Sequence, residues 1–464
     1  MTCAYIQEEG FHAIHPQKQK SYPKKVSKKK TTNHNLYLIT MPDRAQISYF
    51  GAGPAPLPTP VLEAASSALL NYKNLGIGIA EMSHRSPEAN AVLADAKDAM
   101  TTLLDIPSDY EILFLQGGGS GEFSAVVYHM VSIWVERVRK GMEEGKWASR
   151  GQEVSEEEKL EELRKVVESD LRLDYLVTGS WSLKASQEAA RLVGGDKVHV
   201  VVDARHHNNG KFGVIPDASS WDLKQSTPPA LTYYCDNETV DGVEFPSFPS
   251  TLDTPDNDRL IIADMSSNFL SRRIPISKYA VIFGGAQKNI GIPGVTIVLI
   301  RKSLLSPSAP SASPDLLRKL NLPVGPIVLD FSTAAKNNSL YNTLPIFDVW
   351  VAAQVMQRLV RIHGERKIEG QEVVAGRKAK MVYDTLDRYP EVYQVVPKRE
   401  ARSRMNICLR AKGEDVEAEK AFIKGAEELR LLGLKGHRSV GGIRVSNCKC
   451  GVCCECVLVV FVAD

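Results

Sequence analysis

Residues 283–294 read FGGAQKNIGIPG and place Lys288 in a glycine-rich turn. The apolar run YAVIF (279–283) precedes this turn and VTIVLI (295–300) follows it, so both flanks are typical of buried strands. Lysine is strongly hydrated and usually stays on a protein surface. Between buried strands its ammonium loses hydration, which lowers its pKa and makes the free amine a nucleophile toward carbonyl groups. A lysine that reaches solvent from an ordinary loop is the alternative interpretation.

Seven short apolar runs are typical of strands covered on both faces, and they alternate with helical patterns. This alternation predicts an α/β fold whose large domain contains a mainly parallel seven-stranded sheet. The later part of the chain mixes helices with shorter strands and predicts a smaller α+β domain. The predicted strands are 110–116, 173–179, 197–204, 231–237, 259–266, 279–285 and 295–301, and the predicted helices include 61–72, 87–105, 121–141 and the amphipathic 155–172.

The bulk composition is that of an ordinary globular protein of 464 residues, with 43% hydrophobic and 24% charged residues. The net charge of +2 indicates no particular partner. Residues 1–45 hold seven lysines and one arginine against three acidic residues, which predicts a disordered basic leader with Met41 as a natural first residue. A nucleic-acid patch at Lys18–Lys30 is the alternative. No run reaches the roughly 18 apolar residues of a membrane helix, and no signal-peptide core precedes Met41. We therefore predict a cytoplasmic protein with neither membrane nor nucleic acid as a partner.

Five of the eight cysteines crowd into the last 17 residues, 448–464. CxC and CxxC pairs occur in zinc sites, but no histidine stands at ligand spacing and the segment runs into the apolar VLVVFVAD. We therefore expect no bound metal. The sharp change in composition predicts an aberrant ending produced by mis-splicing or a frame shift.

Three features stand where predicted strands end, the edge at which open α/β sheets bind ligands. Asp264 needs a cationic partner or several hydrogen-bond donors if it is buried, or else it caps the next helix. The loop QGGGSGEF (116–123) offers backbone N–H groups to a phosphate at a helix N-terminus, although it does not fit the dinucleotide pattern GxGxxG. Trp181 either stacks on a planar ring or packs in the core.

Ten motifs lie between Tyr49 and Asn447: FGAGPAPLP (50–58), MSHRSPE (82–88), QGGGSGEF (116–123), GSWS (179–182), CDNETVDGVEF (235–245), ADMSSNFLSRRI (263–274), GGAQKNIG (284–291), SLYNTLPIF (339–347), RSRMN (402–406) and GHRSVGGIRVSN (436–447). Together they resemble the fold-type I pyridoxal-phosphate aminotransferases, and more closely the phosphoserine aminotransferase family. The combination of GGAQKNIG, NETVDG and GHRSVGGIR is more discriminating than any one motif.

The resemblance implies that pyridoxal 5′-phosphate is the cofactor and that it is attached to Lys288. Asp264 would keep its pyridine nitrogen protonated, Trp181 would stack on its ring, and Thr239 would lie near its phenolic oxygen. The same resemblance implies a homodimer, because some of the phosphate contacts come from the other subunit. The residues implied to bind the cofactor phosphate are Gly119, Ser120 and Gln287 from one subunit and Asn342 and Thr343 from the other. Ser120 stands where some family members carry arginine, so a side-chain charge is absent there.

The resemblance also implies ping-pong transfer of the amino group of L-glutamate to 3-phosphohydroxypyruvate, a step of serine biosynthesis that yields O-phospho-L-serine and 2-oxoglutarate. Lys288 would be the base for the proton shift. Guanidinium groups suit both the phosphate and the α-carboxylate of the substrate, whereas in isolation such charges are usually solvated surface residues. The residues implied to bind the phosphate are His84, Arg85, His437 and Arg438, and Arg444 is implied to bind the α-carboxylate.

Two alternatives remain at this point. The chain is either another small-substrate class-V aminotransferase, such as one acting on alanine and glyoxylate, or a pseudoenzyme impaired by its ending, because the likeness stops after Asn447. We divide the chain into the leader 1–45, a large cofactor-binding domain 46–368 of which 46–59 contributes to the small domain, a small domain 369–447 and the tail 448–464.

Overall fold

A computed structural model of the chain describes residues 42–151, 153–223, 228–254 and 259–448. Three predictions concern mainly residues outside the described ones: the disordered leader 1–45, Met41 as first residue and the aberrant tail 448–464. Of these residues the structure describes 42–45 and Cys448. Cys448 is buried and packs with Ala55 and Met405.

The described residues form ten α-helices and fourteen strands, besides short 3₁₀ segments. The helices are α1 (Thr59–Leu70), α2 (Pro87–Leu104), α3 (Gly118–Met142), α4 (Glu156–Asp170), α5 (Ser180–Val193), α6 (Pro314–Lys319), α7 (Phe331–Lys336), α8 (Ile346–His363), α9 (Lys367–Leu386) and α10 (Val416–Glu428). The strands are β1 (Ser48–Tyr49), β2 (Tyr110–Leu115), β3 (Leu173–Val177), β4 (Val198–Asp203), β5 (Leu231–Cys235), β6 (Asn237–Glu238), β7 (Val243–Glu244), β8 (Ile261–Asp264), β9 (Val281–Gly285), β10 (Thr296–Arg301), β11 (Tyr393–Val395), β12 (Asn406–Ala411), β13 (Leu431–Leu432) and β14 (Ile443–Ser446).

The central sheet has seven strands in the order β2-β10-β9-β8-β5-β3-β4. All seven predicted strands are its members, so the predicted mainly parallel sheet is confirmed. β10 is the exception in direction: it runs antiparallel to both neighbours, and Thr296 at its start pairs with Leu115 and Gly285 at the ends of β2 and β9. The start of β10 therefore lies at the same edge of the sheet as the ends of the other strands.

Alternate side chains of these strands enter two different cores. Phe114 and Ile282 belong to the cluster that includes residues of α2 and α8, whereas Leu113 and Phe283 belong to the cluster that includes residues of α3 and α5. Both faces of the sheet are thus covered by helices, which explains why the strands are continuous apolar runs rather than alternating ones.

The predicted amphipathic helix 155–172 is α4. Its capping box forms as the sequence indicates: Ser155 accepts a hydrogen bond from the backbone of Glu158, and the Glu158 carboxylate accepts one in return. Leu163 and Val167 are buried on its inner side. None of the described helices is long and apolar enough to cross a membrane.

The C-terminal part has its own sheet, β11-β12-β14, with antiparallel neighbours. Near it, β1 pairs in parallel with β13, so the segment that begins at Ser48 joins the C-terminal elements. Helix α9 begins at Lys367 and passes without a break through position 369. The proposed domain boundaries remain a prediction.

Candidate active site

The strand ends and loops at one edge of the sheet enclose a cavity of about 240 Å³, called here the narrow cavity. Because parallel strands end at the same edge, residues far apart in sequence meet there. The lining is contributed by the segments that follow β2, β3, β5, β8 and β9. It consists of Gly117, Gly118, Gly119, Ser120, Phe123, Trp181, Cys235, Asn237, Thr239, Asp264, Ser266, Gln287 and Lys288.

Lys288 lies three residues beyond β9 and is only 8% exposed. Its Nζ donates a hydrogen bond to Oγ1 of Thr239 at 2.6 Å. Burial lowers the pKa of Lys288, and the negative charge of Asp264 opposes this shift in part. Gly53 packs against the Lys288 side chain. Its φ of +130° favours glycine, and a Cβ on Gly53 would lie only 3.3 Å from Cγ of Lys288.

Asp264 is the last residue of β8 and is buried. One carboxyl oxygen accepts hydrogen bonds from the backbone N–H of Ser266 at 2.8 Å and from its hydroxyl at 2.6 Å. The other oxygen lies 3.7 Å from the position that a Cβ on Gly119 would occupy, which is an ordinary contact distance. Burial raises the pKa of Asp264, because the charged carboxylate loses hydration inside the protein.

The glycine loop forms the N-terminus of α3. The helix begins at Gly118, earlier than the predicted start at 121, and Gly117 reaches it with a φ of +127°. Gly119 and Ser120 therefore stand in the first turn and line the narrow cavity together with Gln287. A helix N-terminus with an adjacent amide side chain favours an anion such as a phosphate.

Trp181 lies in the first turn of α5 and is half-buried. Its ring is tilted against Phe123, with 6.4 Å between the centroids. Its indole Nε1 is buried and has no hydrogen-bond partner among the described residues. Its backbone N–H donates to Glu238 at 2.7 Å, which fixes the ring at the cavity wall.

Two acidic residues of the NETVDG segment hold the start of α5, a role that the sequence did not reveal. The fully buried Glu238 accepts hydrogen bonds from the N–H groups of Trp181 and Ser182, and Asp241 accepts one from Ser180 at 2.7 Å. Burial, with a smaller effect of Asp241, raises the pKa of Glu238 to about 8. The pair locks the Thr239 loop to the helix that carries Trp181.

Arg444 lines a second cavity of about 700 Å³, called here the wide cavity, and it contacts Thr239 of the narrow cavity. Its guanidinium donates to the carbonyl oxygen of Thr239 at 3.1 Å, while its Nε is buried and without a partner among the described residues. His437 also lines the wide cavity, and Arg438 beside it is exposed. Burial lowers the pKa of Arg444, and burial followed by nearby positive charges lowers that of His437.

The structure does not bring the other predicted site residues to the narrow cavity of the same chain. Asn342 donates to Gln116, whose own side chain donates to the carbonyl oxygen of Thr343 at 3.2 Å. Arg85 donates to the carbonyl oxygen of Leu340 at 3.4 Å, in the segment leading to Asn342. His84, next to Arg85, has a buried Nε2 that lacks a partner among the described residues. These four predicted residues thus lie on two segments that contact each other.

Comparison with known proteins identifies the family of the chain. The family model for class-V aminotransferases matches residues 47–140 and 163–446. A phosphoserine aminotransferase of Saccharomyces cerevisiae is 41% identical over 405 residues, which cover 87% of this chain and 93% of the relative. The chain belongs to the class-V aminotransferase family.

Solved structures of the family superpose on the chain. A phosphoserine aminotransferase from Bacillus circulans subsp. alkalophilus matches with a TM-score of 0.70 and 31% identity, covering 89% of this chain and 96% of its own. A pyridoxal-phosphate-bound phosphoserine aminotransferase from Trichomonas vaginalis matches with a TM-score of 0.69 and 31% identity, covering 89% and 99%. The fold-type I assignment made from the motifs is therefore confirmed.

The cofactor of this class-V aminotransferase is pyridoxal phosphate, and the narrow cavity fits it. Lys288 provides a buried amine with a lowered pKa. Asp264 lines the same cavity and would be the partner of a ring nitrogen. The N-terminus of α3 supplies the donors that a phosphate requires. Trp181 lines this cavity, and its buried Nε1 is a donor without a hydrogen-bond partner among the described residues.

Glu122 is a further buried acid of this aminotransferase that the sequence analysis missed. It lies in α3, is fully buried, and neither carboxyl oxygen has a hydrogen-bond partner among the described residues. Burial, and next the charge of Asp264, raise the pKa of Glu122 to about 8. In the sequence it resembles an ordinary acidic residue near a helix N-terminus, because its burial depends on how α3 packs on the sheet.

We expect Glu122→Gln to stabilise the protein, by an amount that grows with pH. The carboxyl pKa is 4.5 ordinarily and about 8 when folded, so the folded state takes up a proton between these values and stability falls as pH rises. Each pKa unit corresponds to about 1.4 kcal/mol, so the gain in the free energy of unfolding is expected to reach a few kcal/mol near neutral pH. Urea unfolding of both proteins at acidic and at mildly alkaline pH measures it.

The matched control for Glu122→Gln is Glu391→Gln, because Glu391 is exposed. That substitution should leave the free energy of unfolding nearly unchanged at both pH values. An equal effect of Glu122→Gln at the two pH values would contradict the buried, protonated state.

Proposed function

We propose that this pyridoxal-phosphate-dependent transaminase transfers the amino group of L-glutamate to 3-phosphohydroxypyruvate, forming O-phospho-L-serine and 2-oxoglutarate. The supporting observation is a short chain of contacts. Arg444, with a buried donor that lacks a partner among the described residues, contacts the same residue, Thr239, to which Lys288 donates. A site for a carboxylate therefore stands next to the reactive amine. The relatives named phosphoserine aminotransferase support the choice of substrates.

Three residues of the narrow cavity have separate roles in this reaction. Asp264, whose carboxyl group is held by Ser266, would pair with the ring nitrogen of the bound cofactor and keep it protonated. The bound cofactor supplies an electron sink for the bonds at the substrate α-carbon. Nζ of Lys288 would take up the proton from that carbon and return it to the neighbouring position, which completes the proton shift. A buried amine with a lowered pKa is suited to this task. Trp181, in the wall of the narrow cavity, would stack on the cofactor ring and limit the access of water.

The anionic substrate is held by guanidinium and imidazole groups. Arg444 binds the α-carboxylate, because its Nε and its terminal nitrogens present parallel donors of the kind that carboxylates accept. His437 and Arg438 receive the phosphate of the keto acid or, in the other half-reaction, the distal carboxylate of glutamate. Since both half-reactions use one site, glutamate and the phosphorylated substrate compete for it.

A homodimer completes the site in this proposal. His84 and Arg85 do not line the narrow cavity of their own chain, and they lie with Asn342 and Thr343 on segments that contact each other. This shared location supports their acting together on the partner subunit's cavity. The cytoplasmic location remains a prediction.

The substrate assignment predicts that Arg85→Ala and Arg438→Ala each raise the KM for 3-phosphohydroxypyruvate about 10- to 100-fold, because each loses charge-assisted hydrogen bonds worth roughly 1.5–3 kcal/mol. Steady-state kinetics of the cofactor-saturated variants measures this. Arg388→Ala is the control, since Arg388 is exposed and lines neither cavity, so its loss should leave the KM unchanged. An unchanged KM in both variants would refute phosphate recognition by these residues.

Mixing variants tests whether Arg85 acts across the dimer. If it does, refolding Arg85→Ala chains together with Lys288→Ala chains produces hybrid dimers with one intact site. At substrate concentrations well below the raised KM of Arg85→Ala, its homodimers contribute little. Statistical mixing then restores about one quarter of the wild-type rate. If Arg85 acts within its own chain, no mixture regains activity.

A further inference from the structure

Lys184 stands between the two cavities. It lies one helical turn after Ser180 on α5, so these two residues share a face of the helix. Ser180 lines the wide cavity and Trp181 lines the narrow one. The ammonium of Lys184 lies 4.4 Å from the centroid of the Trp181 ring. Lys184 therefore lies beside the point on α5 where the linings of the two cavities meet, called here the junction.

The charges around Lys184 are mostly positive. His437 is close enough that Lys184, Arg438 and Arg444 all disfavour its protonated form. The nearby acid is Asp241, which is largely buried and already accepts a hydrogen bond from the N–H of Ser180. A second acid, Glu188, stands one turn after Lys184 on α5 and is already paired with Arg191 and Ser124. Because these carboxylates are engaged, the cations around His437 repel one another until an anion binds.

A purely structural role does not account for Lys184. Its side chain is exposed, and its ammonium forms no hydrogen bond or ion pair with the residues that the structure describes. It lies near the N-terminal end of α5, whereas helix dipoles favour cations at the C-terminal end. Its close contact is the face of an indole at the wall of the active site.

We propose that Lys184 is a specificity-determining residue that favours the phosphorylated substrate over glutamate. This inference rests on the proposed function. A phosphate dianion carries about twice the charge of the distal carboxylate of glutamate, so an added cation stabilises it about twice as strongly. The indole keeps the ammonium near the junction, and the neighbouring His437 and Arg438 bind the same phosphate.

Kinetics of the holoenzyme with both substrates tests the inference. Lys184→Met keeps the length of the side chain and removes its charge. We expect the KM for 3-phosphohydroxypyruvate to rise about two- to fivefold, as for other exposed charges. The KM for glutamate should rise only by about the square root of that factor, and kcat should stay unchanged. Inhibition by inorganic phosphate, measured with glutamate as the varied substrate, should weaken by the same factor as the KM for 3-phosphohydroxypyruvate rises. Lys184→Arg should restore both values.

Lys159→Met is the matched control, because the Lys159 ammonium also lies over an indole, 5.7 Å from the ring centroid of Trp147. It should change neither KM. Equal KM changes for both substrates, or a fall in kcat alone, would overturn the inference and assign Lys184 to holding Trp181. If the wild-type protein itself does not convert 3-phosphohydroxypyruvate, the proposed function fails instead, so the two failures are distinguishable.

Discussion

Lys288→Ala is expected to abolish transamination, lowering kcat by on the order of 10⁴-fold, while the chain still folds. Nζ of Lys288 is the one amine that lines the narrow cavity, and both cofactor attachment and proton movement depend on it. Truncation removes a group whose charged form is disfavoured by burial, so the thermal midpoint of the cofactor-free protein should not fall.

Two measurements follow the loss of Lys288. Single-turnover assays with glutamate report the rate, and mass spectrometry after borohydride reduction reports whether the cofactor has become fixed to the chain. Wild-type protein should carry the added mass on the peptide that contains Lys288, and Lys288→Ala should carry none there. Lys278→Ala is the control, because Lys278 bonds Asp253 on the surface. Retention of the label by the Lys288→Ala chain on another lysine would show that the attachment site is assigned wrongly.

The fold was predictable because the strands are buried on both faces. Their continuous apolar runs identified all seven strands of the central sheet. The direction of β10 was not predictable, because a strand buried on both faces has the same apolar pattern whichever way it runs. The early start of α3 at Gly118 was missed for a related reason: glycine has a low helix propensity, and only packing at the edge of the sheet makes the helix begin there.

The site was predictable where residue type and strand position together indicate chemistry. Lys288 and Asp264 stand beside strand ends, and the structure places both on one cavity. Glu122 and Glu238 were missed, because an acidic residue in a polar context is usually exposed and only the folded chain shows their burial. The location of Arg85 away from the narrow cavity also depends on tertiary contacts between distant segments.

Asp264→Asn is expected to lower kcat by on the order of 10²–10³-fold, because it removes the negative charge that a protonated ring nitrogen requires. The amide is close in shape to the carboxyl group, and its carbonyl oxygen can still accept the hydrogen bonds from Ser266. The loss is therefore electrostatic rather than steric. Asp264→Glu, which restores a charge at a displaced position, should recover part of the rate.

Stability provides a second measurement on Asp264 that does not depend on turnover. Burial raises the pKa of this carboxyl in the folded chain, so the cofactor-free protein loses stability as pH rises from the ordinary value of 3.8 toward the folded value. Asp264→Asn removes that loss, so without cofactor the variant should unfold at a higher temperature than wild type at neutral pH. Saturating cofactor should reverse the order, since only the wild-type carboxylate gains a cationic partner. If cofactor raised the midpoints of the two proteins equally, Asp264 would not be the partner of the ring nitrogen, and the charge would have to come from elsewhere in the cavity wall.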